Sequence, residues 1–273
     1  MISCGENALK PREITSSNNT TFKGLLKLTR GRGITKYGKA LFSGPKQVRE
    51  VLRDFPDRCS GIICSEHHEI PVLPESLEIP LYRLSSELFR RIDIYDSDHP
   101  VLLIRFDPLP RWTDAPGSSG CTLCIPFQDP ANVGALIRSA AAFGVSRLVI
   151  LKEAAHPFLP KSIRVAGSSI FRVRMYKGPS LTSLRISNVP LIALSPEGKD
   201  IAAFRFPPSF CLVPGLEGPG LPPHLRKATL LSIPMEPGVE SLNAALVTGI
   251  ALYLWRKDQA VRLGTEEKVS KAR

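Results

Sequence analysis

Three short stretches in the C-terminal half of the chain combine residue types that could do chemistry. The first is Asp129-Pro130-Ala131-Asn132-Val133-Gly134, running on to Arg138. Asp followed by Pro reads as an N-cap with proline at the first helical position. Asn132 then falls in the first turn of a helix and Arg138 about a turn and a half deeper. A helix N-terminus presents free N–H groups to an anion or an electron-rich oxygen. Arg138 interrupts a small apolar run, so it is either a surface charge or an anion ligand. The second stretch, Val213 to Gly220, packs three glycines and two prolines into eight residues, with Glu217 as its only charge. Such a loop is tight, and its backbone can approach a ligand closely. It is not a Walker loop, and no G-x-G-x-x-G opens the region, which disfavours a dinucleotide site of the usual type. The third runs from Ile233-Pro234-Met235 to Glu240, Ser241 and Asn243 at the start of an otherwise apolar helix. Ser241 suits a helix cap, which leaves Asn243 inside an apolar run and gives it a candidate binding role.

A regular alternation of strands and helices must position these stretches. Strands are expected at 121–127, 147–151, 171–176, 190–195, 210–215 and 229–235. Helices are expected at 130–143, around 158–168, and at 240–257, with short ones in LTSLRI and PHLRKA. That order predicts a parallel sheet covered on both faces, with ligand-binding loops at the carboxyl ends of its strands. Ahead of it, residues 21–106 read as a smaller α/β unit. Its expected elements are a helix at 22–28, a Gly- and Lys-rich turn at 30–38, a strand in KALFSG and an amphipathic helix at 45–55. Strands at 61–65 and 101–106 flank a strand-to-helix segment at 81–92. Residues 1–20 read as a polar leader, 107–120 as a linker and 258–273 as a charged tail.

Charge supplies the next constraint. The 273 residues carry 36 Lys and Arg against 25 Asp and Glu, a formal net charge of +11. The basic residues cluster. No acid lies between Glu13 and Glu50, where Lys23, Lys27, Arg30, Arg32, Lys36 and Lys39 fall, nor between Glu153 and Glu197. Clustered positive charge attracts polyanions, nucleic-acid phosphates foremost. Cys121-x-x-Cys124 has half the spacing of a zinc knuckle but no second pair, and CTLCIPF alternates like a buried strand, so no metal is expected. No apolar run reaches the ~18 residues of a membrane span, and the polar N-terminus does not read as an export signal. A cytoplasmic enzyme is the expectation.

Taken in order, NVGALIRSAAAFG, then GLEGPG, then IPM followed by SLNAA resemble the SpoU/TrmH family of RNA ribose 2′-O-methyltransferases, across 121–257. Residues 22–106 more loosely resemble the small ribosomal-protein-L30e-type domain that precedes it in many members. The resemblance implies a SPOUT fold, a knotted parallel-sheet domain with a deep trefoil knot, and S-adenosylmethionine as cofactor. It implies Arg138, Asn132, Glu217, Ser241 and Asn243 as the catalytic set. Leu194, Gly215, Gly218, Ile233, Met235 and Leu242 would hold the cofactor, and the six basic residues from Lys23 to Lys39 would bind RNA. It further implies a homodimer, with ribosomal RNA ahead of transfer RNA as substrate. A different class, a non-catalytic RNA-binding or ribosome-assembly protein keeping the fold, is the alternative. SPEGKD (195–200) departs from the family pattern beside the expected cofactor pocket, and RFPPSF (205–210) adds length without an assigned role.

Overall fold

The computed structural model describes residues 11–74, 77–114, 119–215, 221–239 and 241–271. Among them, no helix is long and apolar enough to cross a membrane. Contacts divide the chain into two units, with a change of unit between Pro108 and Leu109.

The first unit comprises β1 (Arg12–Ile14), α1 (Thr20–Lys27), α2 (Gly31–Tyr37), β2 (Lys39–Phe42), α3 (Pro45–Asp54), β3 (Cys59–Ser65), β4 (Leu81–Leu84), α4 (Ser86–Ile92) and β5 (Val101–Arg105). Its sheet runs β1-β4-β3-β5-β2. β1 and β3 lie parallel to β4, while β5 is antiparallel to β3 and β2. Phe22 and Leu25 of α1 and Leu88, Phe89 and Ile92 of α4 pack over Leu41, Ile63, Leu84 and Leu103 of the sheet. Two elements differ from the sequence expectation. The leader contributes an edge strand, β1, too short to show periodicity. The Gly- and Lys-rich turn is instead helix α2. Its Gly33 lies so near the end of α1 that a Cβ would overlap the Lys27 carbonyl, so the residue that suggested a turn serves close packing.

The second unit holds β6 (Gly120–Ile125), α5 (Pro130–Phe143), β7 (Arg147–Ile150), β8 (Met175–Lys177), β9 (Leu191–Asp200), β10 (Ser209–Val213), β11 (Thr229–Ser232) and a long C-terminal helix, Ala244–Lys271. The six strands form one all-parallel sheet in the order β11-β9-β10-β6-β7-β8. One face buries Cys124, Val149, Ala193, Cys211 and Val213 under Leu181, Leu184 and Leu225. Between β7 and β8 lies α6 (Pro160–Ala166), and the C-terminal helix is therefore α7. Phe158–Ser168, including α6, belongs to the first unit. There Phe158 stacks on Phe106 at 3.8 Å, and Ser168 Oγ donates to Glu50 at 3.1 Å.

Several boundaries move for local reasons. LTSLRI and PHLRKA make only single 3-10 turns, Leu181–Ser183 and Pro223–Lys227. β11 stops at Ser232 because Pro234, just beyond, has no N–H for a ladder. α7 begins at Ala244 rather than 240 and continues past 257 to Lys271. The RFPPSF insert has a structural role. Phe204, Phe206, Phe210 and Trp255 form a continuous aromatic ladder with ring separations of 5.2, 5.2 and 5.8 Å. Arg205 Nη1 donates to the buried Asp258 carboxylate at 2.8 Å, fixing α7 to this strap. Cys121 and Cys124 are core residues of β6, and burial pushes the Cys121 thiol well above its ordinary value. Cys124 Sγ lies 3.4 Å from Cys211 Sγ.

Candidate functional site at the carboxyl ends of the strands

Two of the three stretches converge at the start of α5 and α7, and part of the second reaches β9. At the end of β6, Asp129 Oδ1 accepts from the Ala131 N–H at 3.0 Å and Pro130 occupies the first turn of α5. This arrangement starts the helix at a defined residue and fixes Asn132 in its first turn. α5 then packs on α7, where Gly249 lies against Ser139. Asn243 caps α7: its Oδ1 accepts from Ala245 N at 3.0 Å and Leu246 N at 3.1 Å. Its amide Nδ2 donates to Asn132 Oδ1 at 3.1 Å. The cap is therefore Asn243 and not Ser241, which is exposed just ahead of the helix. One side chain satisfies the helix terminus and ties the first stretch to the third.

The second stretch meets the end of β9. A Cβ on Gly215 would stand 3.1 Å from the Leu194 carbonyl oxygen, closer than ordinary contact. The main chain after β10 is thus pressed against Leu194. Glu217 and Gly218 lie outside the described residues. Ile233 and Met235 are half-buried, and Leu242 is exposed.

The SPEGKD departure forms an excursion beside this point. β9 pairs with β11 at Ile192 and Ala193, then again at Lys199 and Asp200, with a register shift between. Gly198 closes the excursion, since a Cβ there would overlap the Leu231 backbone, and Ser232 Oγ donates to the Gly198 carbonyl at 2.8 Å.

Arg138 is exposed on α5, and among the described residues its guanidinium makes no hydrogen bond or ion pair. Asn132 is held by Asn243 instead of by Arg138. The basic residues Lys23, Lys27, Arg30, Arg32 and Lys36 are exposed on and between α1 and α2, and Lys39 is half-buried at the start of β2. Sequence reasoning passed over His156. Its loop is set against the turn before α5 by a hydrogen bond from Ala155 N to Phe127 O at 2.8 Å. Burial pushes the imidazole down to about 4, so it is neutral near pH 7. A lone His ahead of Pro157 carries no sequence signal of that burial. A cavity of about 790 Å³ in the first unit, between α3 and residues 67–74, contains none of the candidate residues. Among the described residues, no group of His, Cys, Asp and Glu could hold a metal ion.

The SpoU rRNA methylase family profile matches residues 123–253, from β6 through α5 to the first turns of α7. Just under half of the chain is thus similar to the SpoU rRNA methylase family. It is similar to the protein named ribosomal RNA small subunit methyltransferase G 2 of Syntrophobacter fumaroxidans, 43% identical over 96% of this chain, but spans only 51% of that protein's length. It is also 27% identical to the Bacillus subtilis 23S rRNA (guanosine(2553)-2′-O)-methyltransferase RlmP, over 89% of this chain and 98% of the relative. The SpoU fold is shared with an AdoMet-bound rRNA methyltransferase from Sinorhizobium meliloti, at a TM-score of 0.73 and 22% identity, covering 90% of this chain and 97% of that one. The mixed α/β architecture and all-parallel sheet of the second unit thus belong to the same fold as that structure.

Proposed function

We propose that this SpoU domain transfers the methyl group of S-adenosylmethionine to a ribose 2′-hydroxyl of RNA, with ribosomal RNA as the substrate. The observation that carries the reading is the Asn243–Asn132 hydrogen bond, which joins two of the family's motif stretches where the parallel strands end. The methyl-donor names of its relatives and the SpoU profile support the same reaction.

The Gly215–Leu194 approach fits the cofactor, because a close-packed backbone can recognise an adenosine through main-chain N–H and C=O groups where a side chain would intrude. Leu194, Gly215, Gly218, Ile233, Met235 and Leu242 would hold it. When bound, it supplies an already electrophilic methyl on a sulfonium. The protein's task is then to align the ribose oxygen and to relieve the charge that develops on it. Arg138, exposed and without a hydrogen-bond or ion-pair partner among the described residues, binds the adjoining phosphate and stabilises the nascent alkoxide. A guanidinium, with a pKa above ~12, does not act as the base itself. Asn132 and Asn243 set the separation of α5 and α7, Ser241 organises the ribose, and Glu217 orients Arg138. The exposed basic residues on and between α1 and α2, with the half-buried Lys39 at the start of β2, extend the hold on RNA.

A homodimer completes the reading. Leu246 and Tyr253, both 53% exposed and two turns apart on α7, form an apolar stripe that supports a helix-to-helix contact between two copies. The setting is the cytoplasm, where ribosomal RNA is available. Calorimetric titration with S-adenosylmethionine tests the cofactor assignment: binding at micromolar concentration is expected. Its absence would favour a non-catalytic RNA-binding protein on the same fold.

A further inference from the structure

The far edge of the second unit's sheet carries a second feature, three strands' width from the Gly215 loop. β8 is the edge strand, yet the chain at 110–112 adds to it as a short parallel segment. Lys177 N donates to Pro110 O at 2.8 Å, Trp112 N donates to Lys177 O at 2.9 Å, and Arg111 is thereby paired with Lys177. Paired residues of a parallel ladder project from the same face. Trp112 packs with Cys124, Val149 and Cys211 on one face, so Arg111 projects from the other. Lys177 pairs with Ile150, whose neighbours Val149 and Leu151 also belong to that first face, so Lys177 projects beside Arg111. Lys152 follows directly at the end of β7, its N–H donating to Pro179 O at 3.0 Å.

Arg111, Lys152 and Lys177 are all exposed, and none pairs with an acid among the described residues. The acids nearest in the chain are engaged elsewhere. Both Glu153 carboxylate oxygens accept from Leu181 N at 3.0 Å, and Asp114 Oδ2 accepts from Ser187 N at 2.7 Å and Ser187 Oγ at 2.8 Å. The result is a compact cluster of three unneutralised cations held by backbone hydrogen bonds, at the same end of the sheet as Asn132. Neighbouring strands are ~4.8 Å apart, so the end of β8 lies ~10 Å along the sheet from the end of β6. That is only about three times the ~3.4 Å rise per nucleotide of a stacked strand.

We infer that Arg111, Lys152 and Lys177 form a phosphate clamp for the RNA strand flanking the methylated ribose. The inference rests on RNA being the substrate. The clamp recognises phosphodiesters as charge, so it contributes affinity and register rather than sequence choice.

The test is fluorescence anisotropy of a fluorescein-labelled 20-nucleotide oligouridylate against the full chain, from 50 to 300 mM KCl, beside the R111Q/K152Q/K177Q triple variant. The expected result is at least tenfold weaker binding at the lowest salt. The slope of log affinity against log salt should also be shallower by about 2, since each phosphate contact on a single strand contributes ~0.7. The R111K variant, which preserves charge, should keep most of the affinity, and calorimetry with S-adenosylmethionine should be unchanged in the triple variant. Wild-type affinity and slope in the triple variant would overturn the clamp, as would tighter binding to vesicles of 30% phosphatidylserine than to the oligonucleotide at equal salt. A wild-type chain that binds no S-adenosylmethionine but shows the salt effect would overturn the proposed reaction and leave the clamp standing.

Discussion

Asn243 donates its amide to Asn132 across the α5–α7 contact, at 3.1 Å, while its carbonyl caps α7. The two halves of one side chain can be separated by mutation. Asn243→Asp keeps an acceptor for the cap but removes the donor and sets a carboxylate against Asn132 Oδ1. Thermal unfolding should change little, and methyl transfer should fall at least tenfold. Asn243→Ala loses both, and should also cost about 1 kcal/mol of stability, the usual value of an N-cap. Equal stability losses in the two variants would show that the cap alone matters.

Gly215 and Gly249 give opposite expectations for the same substitution. At Gly215 the new methyl group would stand 3.1 Å from the Leu194 carbonyl, in the proposed cofactor cradle. Gly215→Ala should raise the S-adenosylmethionine Kd about tenfold or more by calorimetry. At Gly249 it would meet only Ser139 Oγ at an ordinary 3.7 Å, in the second turn of α7. Gly249→Ala should stabilise the protein by up to about 1 kcal/mol in urea denaturation and leave cofactor affinity intact.

The aromatic strap makes a stability prediction away from the site. Trp255 is 2% exposed and completes the ladder from Phe204 through Phe206 and Phe210. Trp255→Ala should destabilise by about 3–5 kcal/mol, as expected for an aromatic side chain removed from a core. Arg205→Ala, which removes a partner that is 80% exposed, should cost no more than about 1 kcal/mol. Urea denaturation of both variants measures the contrast.

His156 should make stability fall in acid. Its imidazole is pushed down to about 4 by burial, against about 6.5 when unfolded. The unfolded chain therefore binds the proton first as pH drops. The native state is fully favoured above about pH 6.5 and progressively loses stability down to about pH 4, by roughly 3 kcal/mol in all. His156→Gln should flatten this part of the stability profile. An unchanged pH dependence in that variant would assign the acid sensitivity to other groups.

Much of this architecture is legible in the sequence, and what is not has identifiable causes. The core strands are readable because both faces of a parallel sheet are buried, so CTLCI and RLVI appear as continuous apolar runs. α5 is readable at both ends, through Asp129-Pro130 and Gly144. By contrast, α2 hides behind glycines, of which Gly33 serves close packing with α1, and β1 is three residues long. At the site, Asn132 and Asn243 can be picked out singly, but a hydrogen bond across 111 residues of sequence leaves no local pattern. Arg111 and Lys177 are likewise 66 positions apart, and only the ladder that adds 110–112 to β8 sets them side by side. Asn243 looks like a residue inside an apolar helix because the apolar pattern alone sets the helix start at 240. Once the start is at Ala244, it is an ordinary cap with a second task.

Arg138 separates charge from geometry. Arg138→Lys retains a cation but loses the planar fork that matches a phosphate, so turnover should fall by a hundredfold or more with cofactor affinity unchanged. Near-normal turnover in the Lys variant would remove the guanidinium from the reaction.

The most direct measurement is to incubate the protein with S-adenosylmethionine carrying a tritiated methyl group and unmethylated ribosomal RNA, digest the product to nucleosides and locate the label. The account predicts a 2′-O-methylnucleoside, formed by the wild type and lost in Arg138→Ala. Label on a base, or incorporation that survives the Arg138→Ala substitution, would contradict it.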